Sequence, residues 1–282
     1  MTRRDPTRGE TEIVVFGRHP VEEALDSRGV DVLELVLARG LPPAERKALR
    51  RRAEDRGVRL EEGSREAVSR LTGAPRHDQG LAARVRLRNV MELEAFLAGT
   101  RGRAARRPRR VLALDGVTNS QNVGMVVRSV VGAGLDALLW PLSGQPWVNG
   151  LVVRAASGAI FDCPIVRCDS LAIGLAELRG AGFRCLGLAA DAPESLFEQP
   201  VPHRAVFVLG SESEGLSESV RAQLDRAVSI PMAGRLESLN VAVAAGLVCF
   251  HAAGLLGRSG LEVSAPPAEP PSAQSDRRSG AD

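Results

Sequence analysis

The sequence predicts an α/β protein built on mostly parallel sheet, and three observations carry that reading. Short aliphatic runs alternate with helix-forming segments along nearly the whole chain. The alternation is broken once, by an Arg-rich and Pro-containing stretch, and then restarts. Finally, 44% hydrophobic residues over 282 positions can fill a sizeable core, for which two ordinary domains fit better than one. In sheets of this kind ligands bind beyond the carboxyl ends of the strands, so the strand-to-helix loops are where function is sought.

Residues 1–11 are basic and polar and read as a disordered lead. A first domain spans 12–88: a strand at Ile13–Phe16, a short helix at Pro20–Leu25 and a strand at Val32–Leu37. A helix follows over Pro42–Arg56, entered through consecutive prolines, then a strand at Val58–Leu60, a helix at Ser64–Leu71 and a strand at Leu81–Leu87. Residues 89–110 read as a linker with a helical scrap at Met91–Ala98. Arg101, Arg103, Arg106, Arg107, Arg109 and Arg110 are too many charges for a core to bury. Such a run is ordinarily a solvated connector, and phosphate contact is the alternative.

The second domain spans 111–260. Strands are expected at Val111–Leu114, Ala137–Trp140, Ile165–Val166, Phe183–Ala189, Ala205–Leu209 and Val228–Ile230. Between them come helices at Asn122–Gly132, Val148–Ser157, Leu171–Arg179 and Ser217–Leu224. A long apolar helix over Leu239–Leu256 closes the domain, with Ser238 as its N-cap. The Pro-, Ser- and Ala-rich residues 261–282 read as a disordered tail.

Composition excludes several classes. No apolar run reaches the roughly 20 residues that span a bilayer, and no apolar signal core follows the basic start, so a cytoplasmic protein without a membrane partner is expected. Cys163, Cys168, Cys185 and Cys249 form no Cys-x-x-Cys pair and sit among apolar residues, which predicts buried reduced thiols and no metal site. Only Lys47 among the 37 basic residues is a lysine. Arginine's planar fork of donors suits phosphate, so this composition is compatible with a nucleic-acid partner, and equally with a coding bias toward arginine. Tyrosine is absent, which argues against a broad base-stacking platform.

Three loops are too polar for plain connections. The first is Asp115–Asn122, with Asn122 expected to cap the following helix and Arg128 set in the apolar run Met125-Val126-Val127-Arg128. That arginine either snorkels to solvent, pairs with a buried carboxylate, or is aimed at a phosphate or a reacting hydroxyl. The second, Gly210–Ser217, has P-loop glycine spacing, yet Leu216 stands where the phosphate-binding lysine belongs and Glu212 and Glu214 would repel a triphosphate. Gly-x-Gly-x-x-Gly after a strand and the Gly-x-Ser-x-Gly elbow are both missing, which removes the best signals of dinucleotide enzymes and serine hydrolases. The third loop runs from Val228 through Pro231 and Gly234 to Asn240, where a strand end, an irregular segment and a helix N-terminus converge; for Ser238 and Asn240 helix capping is the plain alternative.

Taken in order, Asn122 with Arg128, Gly210-Ser211-Glu212, and Ile230-Pro231-Met232 ahead of Ser238-Leu239-Asn240 resemble the three motifs of the SpoU-type RNA ribose 2′-O-methyltransferases of the SPOUT class. The resemblance covers about residues 111–257. The first domain, with Phe16–Leu25 and His77-Asp78-Gln79-Gly80, is similar to that family's substrate-binding domain, itself like ribosomal and kink-turn RNA proteins. Two departures stand out: the usual His-Gln-Gly is interrupted by Asp78, and Thr118-Asn119-Ser120-Gln121 replaces the more usual Asp-Pro.

The resemblance implies a C-terminal trefoil knot, which general topology rules would not suggest. It also implies S-adenosylmethionine held by backbone groups at Leu209, Gly210, Ile230, Met232 and Leu239, with Ser211 and Ala233 beside them. Arg128 would act on the ribose hydroxyl as base or electrostatic stabiliser, with Asn122, Glu212, Ser238 and Asn240 completing the polar shell. A homodimer would complete the site. The expected substrate is structured RNA, a guanosine of large-subunit rRNA first, with tRNA or an antibiotic-resistance rRNA site as alternatives. The rival from another class is an RNA-binding assembly factor that kept the fold and lost catalysis.

Overall fold

A computed structural model describes residues 11–102, 106–145, 147–198, 200–233 and 238–256. The expected tail, the lead up to residue 10, and the expectations for Arg103 and Gly234 lie outside the described residues.

The first unit is a four-stranded sheet in the order β1 (Glu12–Phe16), β4 (Leu81–Leu87), β2 (Val30–Ala38), β3 (Arg59–Gly63). β4 runs antiparallel to β1 and β2, whereas β2 and β3 are parallel. Helices α1 (Arg18–Asp26), α2 (Pro43–Asp55) and α3 (Arg65–Thr72) cover it. Each buries an apolar stripe, Val21, Ala24 and Leu25 from α1 and Leu49 and Ala53 from α2, at helical spacing. Ser64 caps α3, its hydroxyl accepting from Ala67 N at 3.2 Å. The expected strand at Val58–Leu60 falls one residue later and runs longer, because its register is set by pairing Glu34 with Arg59 through Ala38 with Gly63.

The second unit is a seven-stranded sheet with every pair parallel, in the order β11 (Arg226–Val228), β9 (Arg184–Leu188), β10 (Arg204–Gly210), β6 (Arg109–Asp115), β7 (Ala137–Pro141), β8 (Ile165–Cys168), β5 (Val90–Glu92). Both faces are covered, and alternate residues of the central strands enter different cores. In β6, Leu112 and Leu114 join one cluster while Val111 and Ala113 join the other; in β10, Phe207 and Leu209 oppose Val206 and Val208. Helices α5 (Ser120–Ala133), α6 (Gly150–Ala156) and α9 (Val241–Ala252) pack with the first cluster; α4 (Leu93–Ala98), α7 (Leu171–Gly180) and the one-turn α8 (Glu218–Arg221) pack with the second. The four cysteines are buried free thiols. Among the described residues no helix is long and apolar enough to cross a membrane.

Four expectations need correction. Within the predicted linker 89–110, residues 90–98 form β5, paired with β8 from Val90–Ile165 to Glu92–Arg167, and α4, whose Phe96 ring lies 6.2 Å from that of Phe183. A three-residue edge strand has no periodicity of its own, so only its partner reveals it. Arg109 and Arg110 open β6: Arg109 pairs with Asp136 at 2.9 Å, and Arg110 donates to the carbonyls of His203 and Ala252. Two residues therefore separate β4 from β5, and the units pack directly. A Cβ on Gly150 would lie 2.1 Å from the Phe16 ring, so only glycine lets α6 meet β1 here.

Second, Asn119 caps α5, its Oδ1 accepting from Gln121 N at 2.8 Å and Asn122 N at 3.3 Å, which leaves the Asn122 side chain free for other work. Third, the last strand is Arg226–Val228, set by its pairing with Leu186–Leu188 of β9, not Val228–Ile230. At Ser229 the chain leaves the sheet edge to bridge Ser195, with Ser229 N donating to Glu194 O and Leu196 N to Ser229 O, both at 2.8 Å. It then returns to the sheet centre, where α9 packs on α5. Fourth, α9 starts at Val241 with Asn240 as cap, its Oδ1 accepting from Ala242 N at 3.0 Å; Ser238 does not cap it. The helix closes at Ala252, short of the expected Leu256.

Candidate active site

β6 and β10 are neighbours at the sheet centre, with later strands running outward from β6 on one side and β9 and β11 lying beyond β10 on the other. This is the switch point at which open parallel sheets leave a crevice beyond their carboxyl ends. The first two polar loops leave β6 and β10 there, and the third returns beside them.

The loop after β10 folds onto itself. Ser211 N donates to Gly215 O and Gly215 N to Ser211 O, at 3.1 and 2.9 Å, and Glu214 N reaches the Ser211 hydroxyl. Ser217 N donates to Asp115 Oδ2 at 2.6 Å, tying the loop to the end of β6. A Cβ on Gly210 would lie 2.2 Å from the Gly215 carbonyl carbon, so the closed loop requires glycine there. These amides are consumed within the loop, which is the geometric reason that the glycine spacing makes no phosphate cradle.

At the loop tip Glu212 meets the other two motifs. Its Oε1 accepts from Asn240 Nδ2 at 2.6 Å, from Val241 N at 3.2 Å and from Asn122 Nδ2 at 3.3 Å. Asn240 Nδ2 also donates to Asn122 Oδ1 at 3.2 Å. Residues 90 and 118 positions apart from Asn122 in the chain thus close into one triangle. The carboxylate also faces the first amide of α9, where the helix dipole favours negative charge.

Beside the triangle lies a cavity of about 230 Å³, several times the roughly 30 Å³ share of a water molecule, so it is ligand space. Leu209, Gly210, Ser211, Ile230, Met232 and Leu239, the six positions expected to hold a donor, all line it, as do Glu212 and Ser238. The expected Ala233 is not among the lining residues. Release of Ile230 from the predicted strand is what brings it to the cavity wall.

Sequence reasoning missed the wall from β9, Leu188 to Asp191, and also Arg221, Val241 and Ala244. The β9 wall was findable in principle, since β9 is a parallel strand and Ala189-Ala190-Asp191 follows its carboxyl end. The lining carries two carboxylates, Asp191 and Glu212, and one guanidinium, Arg221, over mostly apolar walls. S-adenosylmethionine bears two positive groups, sulfonium and ammonium, one carboxylate, and an apolar adenine face, so these residues fit it in charge and polarity.

Arg128 is separate. It is exposed on α5, does not line the cavity, and meets no partner among the described residues. Glu212 and Ser238 therefore line the cavity, Asn122 and Asn240 join Glu212 beside it, and Arg128 does neither. Near it α5 exposes Met125, and the neighbouring α9 exposes Val243 and Phe250. Among the described residues no group of acidic, His and Cys side chains is arranged to hold a metal.

Both units of the chain resemble known proteins. Residues 109–250 match the model described as the SpoU rRNA Methylase family, and residues 14–91 match the one described as RNA 2′-O ribose methyltransferase substrate binding. The chain is 33% identical over 241 residues to the 23S rRNA (guanosine-2′-O-)-methyltransferase RlmB of Xanthomonas axonopodis pv. citri, covering 84% of this chain and 94% of that one. It is 36% identical to an uncharacterized tRNA/rRNA methyltransferase of Mycobacterium avium, covering 87% of this chain and 78% of the relative. Among solved structures, the SpoU methyltransferase AviRb from Streptomyces viridochromogenes in complex with AdoMet superposes with a TM-score of 0.65 at 25% identity, covering 90% and 93% of the two chains.

Proposed function

Because the chain belongs to the SpoU rRNA methylase family, we propose that it transfers a methyl group from S-adenosylmethionine to a ribose 2′ hydroxyl of structured RNA, a guanosine of 23S rRNA. The observation that carries this reading is the triangle of Asn122, Glu212 and Asn240 at a cavity lined by all six expected donor positions. The guanosine target is supported by the RlmB relative, which this chain matches over nearly its whole length. Ribosomal RNA as substrate also makes the cytoplasm the site of action.

When bound, S-adenosylmethionine supplies an electrophilic methyl group on a sulfonium. The protein's part is to hold the donor, exclude water and manage the hydroxyl proton. Glu212 is held by three donors, so its charge is fixed beside the cavity, where it favours a cationic centre. Asn122 and Asn240 keep it there. Arg128 has donors and no acceptor, so its task is to stabilise the developing alkoxide and an adjoining phosphate; it is not the base.

Arg128 can serve that task only for another subunit's cavity, and the reading therefore includes a homodimer built on α5 and α9. Exposed Met125, Val243 and Phe250 beside Arg128 support it, since α9 is apolar on every side and one chain buries only part of it. The reading also includes the trefoil knot, supported by the return of the chain from Ser229 past residues 194–196 to the sheet centre. The first domain, joined without a spacer, would hold the RNA. Labelled donor incubated with the protein and total RNA from cells lacking it should label one ribose 2′ oxygen in 23S rRNA; donor binding absent by calorimetry would sink the reading.

A further inference from the structure

The donor cavity contains one feature that the three motifs do not use. Among the described residues lining it, Arg221 supplies the one basic side chain, while Asp191 and Glu212 are acidic. The acidic pair suits the donor's sulfonium and ammonium, and would repel its carboxylate. One guanidinium for one carboxylate is the remaining match.

The local geometry presents that guanidinium. Arg221 sits on α8, and its Nε donates to Leu216 O at 2.9 Å, which anchors the stem of the fork to the loop after β10. Neither terminal nitrogen meets a protein acceptor among the described residues. Nη2 lies over Gly215, 3.8 Å from where a Cβ would stand, and the φ of +66° at this position is one that glycine adopts freely. Arg221 is exposed whereas Leu209 and Leu216 are buried, so the charge stands at the mouth of an apolar cavity. A carboxylate, the most strongly hydrated part of the donor, is best placed at the mouth, with adenine against the apolar walls.

We infer that Arg221 is the residue that binds the carboxylate of the donor's methionine moiety, through the two terminal guanidinium nitrogens. The inference rests on the proposed use of S-adenosylmethionine and assigns one subsite within it. It makes Arg221 a selectivity element, because a nucleoside thioether without the amino-acid arm gains nothing from it.

The test compares three ligands by calorimetry on the full chain: S-adenosylmethionine, S-adenosylhomocysteine, and 5′-methylthioadenosine, which keeps the nucleoside and sulfur and lacks the carboxylate. Arg221→Gln should weaken the first two roughly tenfold, the size of an exposed charge-assisted pair, and leave the third unchanged. An equal loss for all three ligands, or no loss for any, overturns the assignment. If Arg221→Gln does not fold, the wild-type protein still decides: raising salt from about 0.05 to about 0.5 M, either side of the roughly 0.1 M at which the Debye length is about 10 Å, should weaken S-adenosylhomocysteine more than its decarboxylated analogue, which keeps the ammonium that faces Asp191 and Glu212 and lacks only the carboxylate. Equal salt dependence overturns the assignment too. Wild-type protein that binds none of the three removes the proposed function itself, whereas binding with no selective loss removes only the role of Arg221.

Discussion

Replacing Glu212 with alanine tests the centre of the site. Three donors lose their acceptor, and they differ in what they lose. Asn122 is 7% exposed, so its amide cannot simply turn to water, and an unpaired buried donor costs about 1–3 kcal/mol. The Val241 amide opens α9, where loss of a carboxylate costs a further ~0.3–1 kcal/mol through the helix dipole. Asn240 is exposed and finds water, so its share is close to nothing. The expected loss is about 2–3 kcal/mol, read as a lower urea midpoint at unchanged slope and, for a chain this long, a melting point lower by about 5–10 °C. Methyl transfer should fall at least about a hundredfold, the usual size for removal of a preorganised electrostatic group. Glu212→Gln separates the two effects: it retains an acceptor oxygen, so stability should fall by only about 1 kcal/mol while transfer remains impaired. Unchanged midpoint and full activity in Glu212→Ala would refute the claim that this carboxylate ties the three loops together.

Other outcomes follow from the same geometry. Arg128→Ala should abolish methyl transfer with donor affinity intact and stability changed by less than about 0.5 kcal/mol, because the side chain is exposed and unpartnered among the described residues. Coexpressing Arg128→Ala with Glu212→Ala subunits should restore roughly a quarter of wild-type activity if sites are shared across a two-fold interface; no recovery in confirmed mixed dimers would place both residues in one subunit's site. Phe250→Glu, on the exposed apolar side of α9, should give monomers by sedimentation, and a dimer of unchanged affinity would count against that interface. Gly210→Ala should open the loop after β10 and abolish donor binding, since its Cβ meets backbone that has no room to move; calorimetry reads this directly. Burial pushes the thiols of Cys168, Cys185 and Cys249 up to about 12. A raised acid favours the protonated folded form, so these thiols leave stability untouched below the unfolded value near 9. Stability should then decline as pH rises toward 12, and a flat urea midpoint between pH 9 and 11 would contradict their burial.

The sequence alone determined the α/β class, most element positions, and the three loops that carry the site. The reason is that strand and helix periodicities, glycine spacing and polar runs between apolar strands are local signals. The resemblance of the loop motifs to the SpoU family, not periodicity, singled out the six positions that line the cavity. Tertiary structure decided what depends on a distant partner. Val90–Glu92 became a strand because β8 offered a free edge, and the last strand shifted because β9 set its register and Ser195 drew Ser229 away. Asn122 and Asn240 show the limit most plainly. Each stands where a helix begins, and capping chemistry suits both. Only one of them caps, because Asn119 already satisfies the first amides of α5 and leaves the Asn122 side chain to Glu212. Which side chain is left over for chemistry is settled by three-dimensional competition for hydrogen-bond donors, and no spacing along the chain records that outcome.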